Sequence, residues 1–248
     1  ELSEVNYKSL DNIVSKINDI VSRFNISDYN VLSIPLKNHY AGLDSTSDDI
    51  NDYLSGKLDN YYSLKDVLSL SDYYRTDIHI KQECLSGVVS RILELCEIEE
   101  KDIDYVLNTY DRFYGSLYAK MAIKMEPDTL TYMTNDLLDG VKVESIEDKE
   151  LLDVYNVGEL ESLDPYSIYL NGPKAYLKIV NENVKDRKLI IFRDSYTSSI
   201  APLLVPYFSE IELIDLRYYS SDLLNIDGDA KVLFIYGSEV LNNSFSIK

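Results

Sequence analysis

Lys188-Leu-Ile-Ile-Phe-Arg-Asp-Ser195-Tyr-Thr-Ser-Ser-Ile-Ala-Pro-Leu-Leu204 changes character halfway along. Leu189 to Phe192 is a short apolar run rich in β-branched residues, with the length and make-up of a buried parallel strand. Asp194 and Ser195 break the run, and Tyr196 to Val205 has the composition of a helix. A strand that turns straight into a helix sets the turn residue at the carboxyl edge of the sheet, where open α/β sheets bind ligands. The Ser195 hydroxyl would be exposed there beside the first free N–H groups of the helix, a setting that suits a developing oxyanion. Asp and Ser are also favoured helix N-caps, and a Ser after a strand is a looser signal than a full nucleophile elbow. On these residues alone both readings stand.

The C-terminal part continues the alternation, with strands expected at 211–216 and at Val232 to Tyr236, which argues for a parallel sheet with crossover helices. Upstream, residues 6–24 carry Leu10, Ile13, Val14, Ile17, Ile20, Val21 and Phe24 at helical spacing. The N-terminal 25 residues therefore read as an amphipathic helix packed on one domain that spans residues 1–248. Val31 to Leu36 is the expected first strand, with Pro35 near its end. Asp44 to Asp52 reads as a Ser/Thr cap with first-turn acids rather than a Ca²⁺ loop, which would need an invariant Gly and a distal Glu. Leu85, Val88, Val89, Ile92 and Leu95 predict a buried helix over Cys84 to Cys96, and a shorter one is expected over Asp102 to Leu107. Phe113 to Tyr118 is a Gly-containing loop. Thr129 to Met133 and Val141 to Ser145 read as strands of a hairpin turning at Asp139-Gly140. Tyr166 to Leu170 is a further strand candidate, and Asn171-Gly172-Pro173 is a turn.

At 248 residues the chain is long enough for one sizeable α/β core, and 45% apolar with 27% charged residues is a globular composition. Its formal charge is −19, with no Lys/Arg cluster, so nucleic acid and anionic membrane surfaces are poor partners. Cys84 and Cys96, twelve residues apart in one predicted helix, would lie about 18 Å apart and cannot bridge. No signal peptide or membrane-spanning run is present. The chain starts at Glu1 without an initiator Met, which reads as a mature or trimmed fragment whose targeting segment, and any membrane anchor, lies outside it. There are 22 Tyr and no Trp, and Tyr is often half-buried with a wet tip.

A nucleophilic Ser195 needs a base, and His39 and His79 are the only imidazoles. His79 follows Asp77 by two residues, so in extended chain both point to the same face. The carboxylate could then hold the imidazole in the tautomer that leaves its other nitrogen free to take a proton. The same Asp-x-His also suits a surface loop. His39 has no carboxylate at such spacing and reads as a loop residue. Two His and no Cys cluster make a metal site unexpected, and no nucleotide-binding Gly-rich loop is present, so no cofactor is expected.

Tyr73-Tyr-Arg-Thr-Asp-Ile-His-Ile80 resembles the Thr-Asp-His-His-Trp signature of the DHHW protein family, which is SGNH-hydrolase-like and related to the extracytoplasmic alginate O-acetylation proteins. Phe113-Tyr-Gly-Ser-Leu-Tyr-Ala-Lys120, Phe192-Arg-Asp-Ser-Tyr-Thr-Ser-Ser199 and Pro206 to Tyr219 are similar to further segments of that family. The resemblance implies a three-layer α/β/α sandwich of SGNH-hydrolase type with a largely parallel central sheet. It implies an Asp77–His79–Ser195 triad. Backbone N–H groups near Ser195 are expected to hold the oxyanion, with Asn171, Tyr196, Asp194 and Tyr74 as the expected oxyanion or substrate-binding residues. The implied activity is acyl transfer to, or deacylation of, a cell-envelope polysaccharide outside the membrane, with that polysaccharide or an acyl-donor protein as partner. Ile78 and Ile80 replace the second His and the Trp of the signature. Pro173 replaces the Asn of the family's Gly-Gly-Asn turn, and proline has no N–H to donate. These departures keep open a second reading, a catalytically impaired envelope protein that binds glycan or a partner protein in the same cleft.

Overall fold

A computed structural model describes residues 4–43, 46–120, 124–226 and 228–247. Helix α1 (Tyr7–Arg23) is capped by the Asn6 side chain and leads into strand β1 (Tyr29–Ile34). The short helix α2 (Lys37–Tyr40), helix α3 (Thr46–Ser55) and strand β2 (Tyr61–Ser63) follow. Then come α4 (Ser86–Leu95), β3 (Val106–Phe113), α5 (Ser116–Lys120), β4 (Asp128–Thr134), β5 (Lys142–Ser145) and β6 (Tyr176–Val180). The chain closes with β7 (Lys188–Arg193), α6 (Thr197–Leu204), β8 (Glu210–Ile214), β9 (Lys231–Gly237) and α7 (Ser238–Leu241).

Seven strands form one sheet in the order β2-β1-β9-β7-β8-β6-β5. The run from β2 to β8 is parallel, and β6 and β5 close one edge in antiparallel pairing. Alternation along β7 feeds two cores. Leu189 and Ile191 pack among residues of α4 and α6, such as Val88, Ile92 and Ile200. Ile190 and Phe192 pack among residues of α1, α3 and α7, such as Ile13, Ile50 and Leu241. These helices on both faces make a three-layer α/β/α sandwich around the largely parallel sheet. A third cluster, of Tyr74, Phe113, Leu130, Tyr166, Ile168 and Tyr169, lies under the separate β3–β4 ribbon.

Six expectations are corrected. Phe113 to Tyr118 is not one loop, since Phe113 ends β3 and Ser116 opens α5. Residues 102–107 are not a helix: 101–105 are irregular and Val106 opens β3, where the β-branched and aromatic residues through Phe113 pair with β4. The segments 129–133 and 141–145 are strands but not one hairpin, since β4 pairs with β3 and β5 with β6. Their apolar residues belong to different cores, Leu130 to the aromatic cluster and Val143 to the main one. Tyr166 to Leu170 is a 3-10 turn over Pro165–Ile168, followed by left-handed Leu170 (φ 56°) and Asn171 (φ 62°). Pro165 presets the turn, and two tyrosines anchor it in the aromatic cluster. Cys84 lies in a 3-10 turn ahead of α4 and Cys96 is that helix's C-cap, both free thiols. The first-turn acids Asp48 and Asp49 open α3 as expected, while Asp44 and Ser45 of the proposed cap lie outside the described residues. His39, expected in a loop, sits in α2, and packing brings its Nδ1 to 3.6 Å from Oδ2 of Asp48, nine residues on.

Ile190 is 2% exposed on a strand covered on both faces. Ile190→Asp would bury an unpaired carboxylate at a cost of several kcal/mol, enough to unfold a marginal domain. Circular dichroism is expected to show no cooperative melt for this variant; a soluble, normally melting one would contradict the central position of β7.

Candidate active site

Strand β7 ends at Arg193, and Asp194 and Ser195 form the turn into α6. The N-cap of α6 is Tyr196, without a side-chain cap, and Asp194 braces the turn before it. One of its oxygens accepts the Tyr196 N–H at 3.0 Å and the other the Gly237 N–H at 2.6 Å, which ties the turn to the end of β9. The Ser195 hydroxyl is thereby left to point elsewhere. It lies 2.9 Å from Nε2 of His79, whose Nδ1 is 2.5 Å from Oδ1 of Asp77. An ionised carboxylate only accepts, so Nδ1 carries the proton and Nε2 accepts from the Ser195 hydroxyl. The three residues form one chain of hydrogen bonds across a sequence separation of 116 residues.

Asp77 is 2% exposed. Burial alone would raise its pKa, but hydrogen bonds from the His79 ring and backbone N–H, and from the Ser116 N–H, outweigh it and hold the carboxyl below the usual range. Its contribution to stability is therefore present above the unfolded carboxylate pKa and is lost as pH falls toward the depressed folded value. The Ser116 N–H, 2.6 Å from Oδ2, is available because the chain passes very close at Gly115. A Cβ on Gly115 would lie 2.2 Å from Asp77 Cβ and 2.7 Å from the Thr76 carbonyl oxygen.

The loop that carries Asp77 and His79 is held from two further sides. Asp128 accepts the Thr76 N–H at 2.7 Å, the Thr76 hydroxyl at 2.6 Å and the Arg75 N–H at 3.2 Å. The Lys37 ammonium donates to the carbonyls of Tyr74, Arg75 and Asp77 at 2.9, 3.0 and 3.0 Å. The imidazole is clamped by rings. Tyr166 stacks on it at 3.8 Å and 10°, and Tyr196 meets it edge-on at 5.2 Å. The buried Tyr166 hydroxyl donates to Ser199 Oγ, fixing that ring to α6. The fully buried Gln82 also ties the loop to α6 and β4, donating to the Ser199 carbonyl and accepting from Met133.

Of the residues assigned to oxyanion or substrate binding, three are engaged within the protein. Tyr74 has no exposed surface and packs edge-on against Phe113 in the aromatic cluster, out of a ligand's reach. Asp194 is 1% exposed with both oxygens bonded to backbone N–H groups. The Asn171 amide donates to the Asp153 carbonyl and its oxygen accepts from Asn156, so it fastens its own turn. Tyr196 borders a cleft, described below, and its hydroxyl donates to the Ile78 carbonyl. The Ser195 N–H finds no acceptor among the described residues and so is a free donor on the residue that carries the hydroxyl. Arg193, buried to 1% exposure, donates to Ser198 Oγ at 2.9 Å and to the Lys174 carbonyl at 3.2 Å, joining the Ser195 turn to the 171–174 turn. Lys37, Asp128, Gln82 and Tyr166 carried no local sequence signal; Gly115 and Ser116 lay inside a family-like segment.

No protein-family profile and no curated protein matches the chain. Solved structures do. A DHHW family protein from Eubacterium siraeum DSM 15702 aligns with a TM-score of 0.77 and 21% identity, over 99% of this chain and 89% of its own. The chain has that protein's fold. Bacillus cereus PatB1 aligns at 0.71 and 20% identity over 96% of this chain and 92% of its own. A PatB1 structure with a sulfonyl adduct gives 0.72. The O-acetyltransferase domain of Pseudomonas putida AlgJ aligns at 0.52 and 8% identity, over 96% and 84%. At these identities the likeness is one of fold. Among the described residues no group of His, Cys, Asp or Glu could hold a metal, and no helix is long and apolar enough to cross a membrane.

Two variants test what holds the site. Gly115→Ala is expected to displace the Asp77 loop, since its Cβ would collide with backbone and Cβ atoms rather than with a flexible tip. Thermal melting is expected to fall by several degrees, together with any reactivity of Ser195; an unchanged protein would contradict the close approach. Tyr166→Leu removes the stack on His79 and is expected to lower kcat on an aryl acetate roughly 10–100-fold with KM little changed. Tyr166→Phe keeps the ring and is expected to retain most of kcat; equal losses in the two variants would assign the effect to the hydroxyl.

Proposed function

We propose that this protein is a serine O-acyltransferase or esterase that acts on acyl esters, acetyl above all, of a cell-envelope polysaccharide outside the membrane. The observation that carries the reading is the hydrogen-bonded chain Ser195–His79–Asp77 at the carboxyl edge of the sheet. Ser195 Oγ attacks the acyl carbonyl carbon while His79 Nε2 takes the hydroxyl proton. Asp77 keeps the ring oriented and stabilises the imidazolium, and the Ser195 N–H faces the developing oxyanion. The imidazolium then returns its proton to the departing alkoxide, leaving an acyl-serine. A sugar hydroxyl or water, deprotonated by His79, attacks that ester and forms the new O–acyl bond; the Ser195 Oγ–acyl bond breaks and the imidazolium returns the proton to Oγ. Transfer and hydrolysis differ only in the acceptor. Structural likeness to an O-acetyltransferase domain supports the acyl-transfer class.

One observation favours the second reading, a catalytically impaired glycan- or partner-binding protein. Pro173 has no N–H and the Asn171 amide is already bonded, so the oxyanion would lack a side-chain donor at that turn. Loss of one such donor typically lowers turnover by about 10²–10³. The expected enzyme is therefore slow, with a reactive serine.

Labelling with a sulfonyl fluoride or fluorophosphonate, read by peptide mass spectrometry, is expected to modify Ser195. Ser195→Ala and His79→Ala are each expected to abolish aryl-acetate turnover, with the double variant no worse than either, while His39→Ala leaves it intact. Full turnover by Ser195→Ala would overturn the assignment. A folded wild type that neither labels nor turns over leaves the binding-protein reading.

A further inference from the structure

The carboxyl ends of β1, β9 and β7 enclose a cleft of about 720 Å³, within the range of sites for small ligands. Ser195 and His79 do not line it, but the residues beside them do. Tyr196 and Ile78 form one wall, joined by the 3.1 Å bond from the Tyr196 hydroxyl to the Ile78 carbonyl. The cleft is thus the crevice next to the Ser195–His79 pair, at the edge where open parallel sheets bind ligands.

Many of its polar groups are already committed. The Lys37 ammonium serves three carbonyls, and the Ser238 hydroxyl donates to the Ile34 carbonyl. Asn38, Asn243 and Glu239 also line the cleft, and their side chains have no hydrogen bond or ion pair with the described residues. Each amide offers both a donor and an acceptor, and the carboxylate offers acceptors, a set that matches adjacent hydroxyl groups. Leu36, Ile78 and Leu117, each half-buried, supply apolar surface for the C–H face of a ring. The charged side chains that line it, Glu4 and Glu239 against Lys37 and Lys120, balance, so the field a ligand meets is set by the whole chain, formally −19. A polyanion would be repelled.

We infer that this cleft is a binding site for an uncharged sugar residue of a glycan chain, which runs past Tyr196 so that a neighbouring sugar meets Ser195. Its place in a reaction rests on the acyl-ester reading; the binding itself does not.

The test uses the full chain carrying Ser195→Ala, which binds without turnover, titrated with chitotetraose and cellotetraose and followed by calorimetry and amide chemical shifts. At least one of these uncharged oligomers is expected to bind and to shift resonances around residues 36–38 and 238–243. A galacturonate tetramer of similar length is expected to bind at least tenfold more weakly. Asn38→Ala together with Asn243→Ala, both on accessible side chains, is expected to weaken binding about tenfold. The same pair is expected to leave the melting temperature unchanged, so that weaker binding reports lost contacts and not lost folding. The inference is overturned if neither uncharged oligomer binds, if the uronate binds as tightly, or if the double variant binds like its parent. Binding that persists in a protein whose Ser195 never labels sinks the proposed chemistry and leaves this site standing; labelling without binding does the reverse.

Discussion

A carboxylate with 2% of its surface exposed has to find donors, and Asp77 draws the chain around itself to get them. The His79 backbone and ring supply two, and the Ser116 N–H supplies a third from a segment 39 residues away. That third bond requires backbone contact at Gly115, which in turn brings β3 and α5 against the loop. Asp128 and Lys37 then take up backbone groups that the tight loop leaves without secondary-structure partners. The imidazole of His79 has its direction fixed by all of these before Ser195 is considered.

Ser195 arrives from the other side of the molecule on a different kind of support. Strand β7 lies at the centre of the sheet, paired in parallel on both sides and covered on both faces, so its carboxyl end is held by packing from every direction. Asp194 accepts the Tyr196 and Gly237 N–H groups, so bracing the turn falls to its carboxylate and the serine hydroxyl is left to His79. Tyr166 and Gln82 join the two halves by fastening the His79 loop to α6 through Ser199. A hydrogen bond between residues 116 apart is thus the end of two independent stacks of packing.

The central sheet was largely legible. Leu189–Phe192 and Val232–Tyr236 are continuous apolar runs, because a strand buried on both faces needs no polar residue anywhere along it. The helices at 7–23 and 86–95 were legible from their 3–4 spacing for the same burial reason. Outside the sandwich the pattern misled. Val106 and Leu107 are 61% and 57% exposed on a ribbon edge, so their apolar character signalled no buried helix. Val141 to Ser145 looked like the partner of Thr129 to Met133 because the turn between them is real, with Gly140 at φ 76°. A turn fixes a reversal of the chain, but which strand lies alongside is decided by which core has room for the side chains.

The candidate site divides along the same line. Asp-x-His and a serine behind an apolar strand are local patterns, so the sequence by itself determined the residue types, the strand-to-helix turn and the parallel order that sets Ser195 at the sheet's carboxyl edge. It could not separate Tyr166, which stacks on His79, from Tyr74, which is sealed beneath, because both are tyrosines in apolar surroundings. Nor could it show that the Asn171 amide is bonded into its own turn, or that Lys37 supports the Asp77 loop across 40 residues of chain. Those facts depend on which groups meet when segments distant in sequence pack together. Local periodicity records only whether a residue is inside or outside, and the tertiary structure alone decided what each one touches.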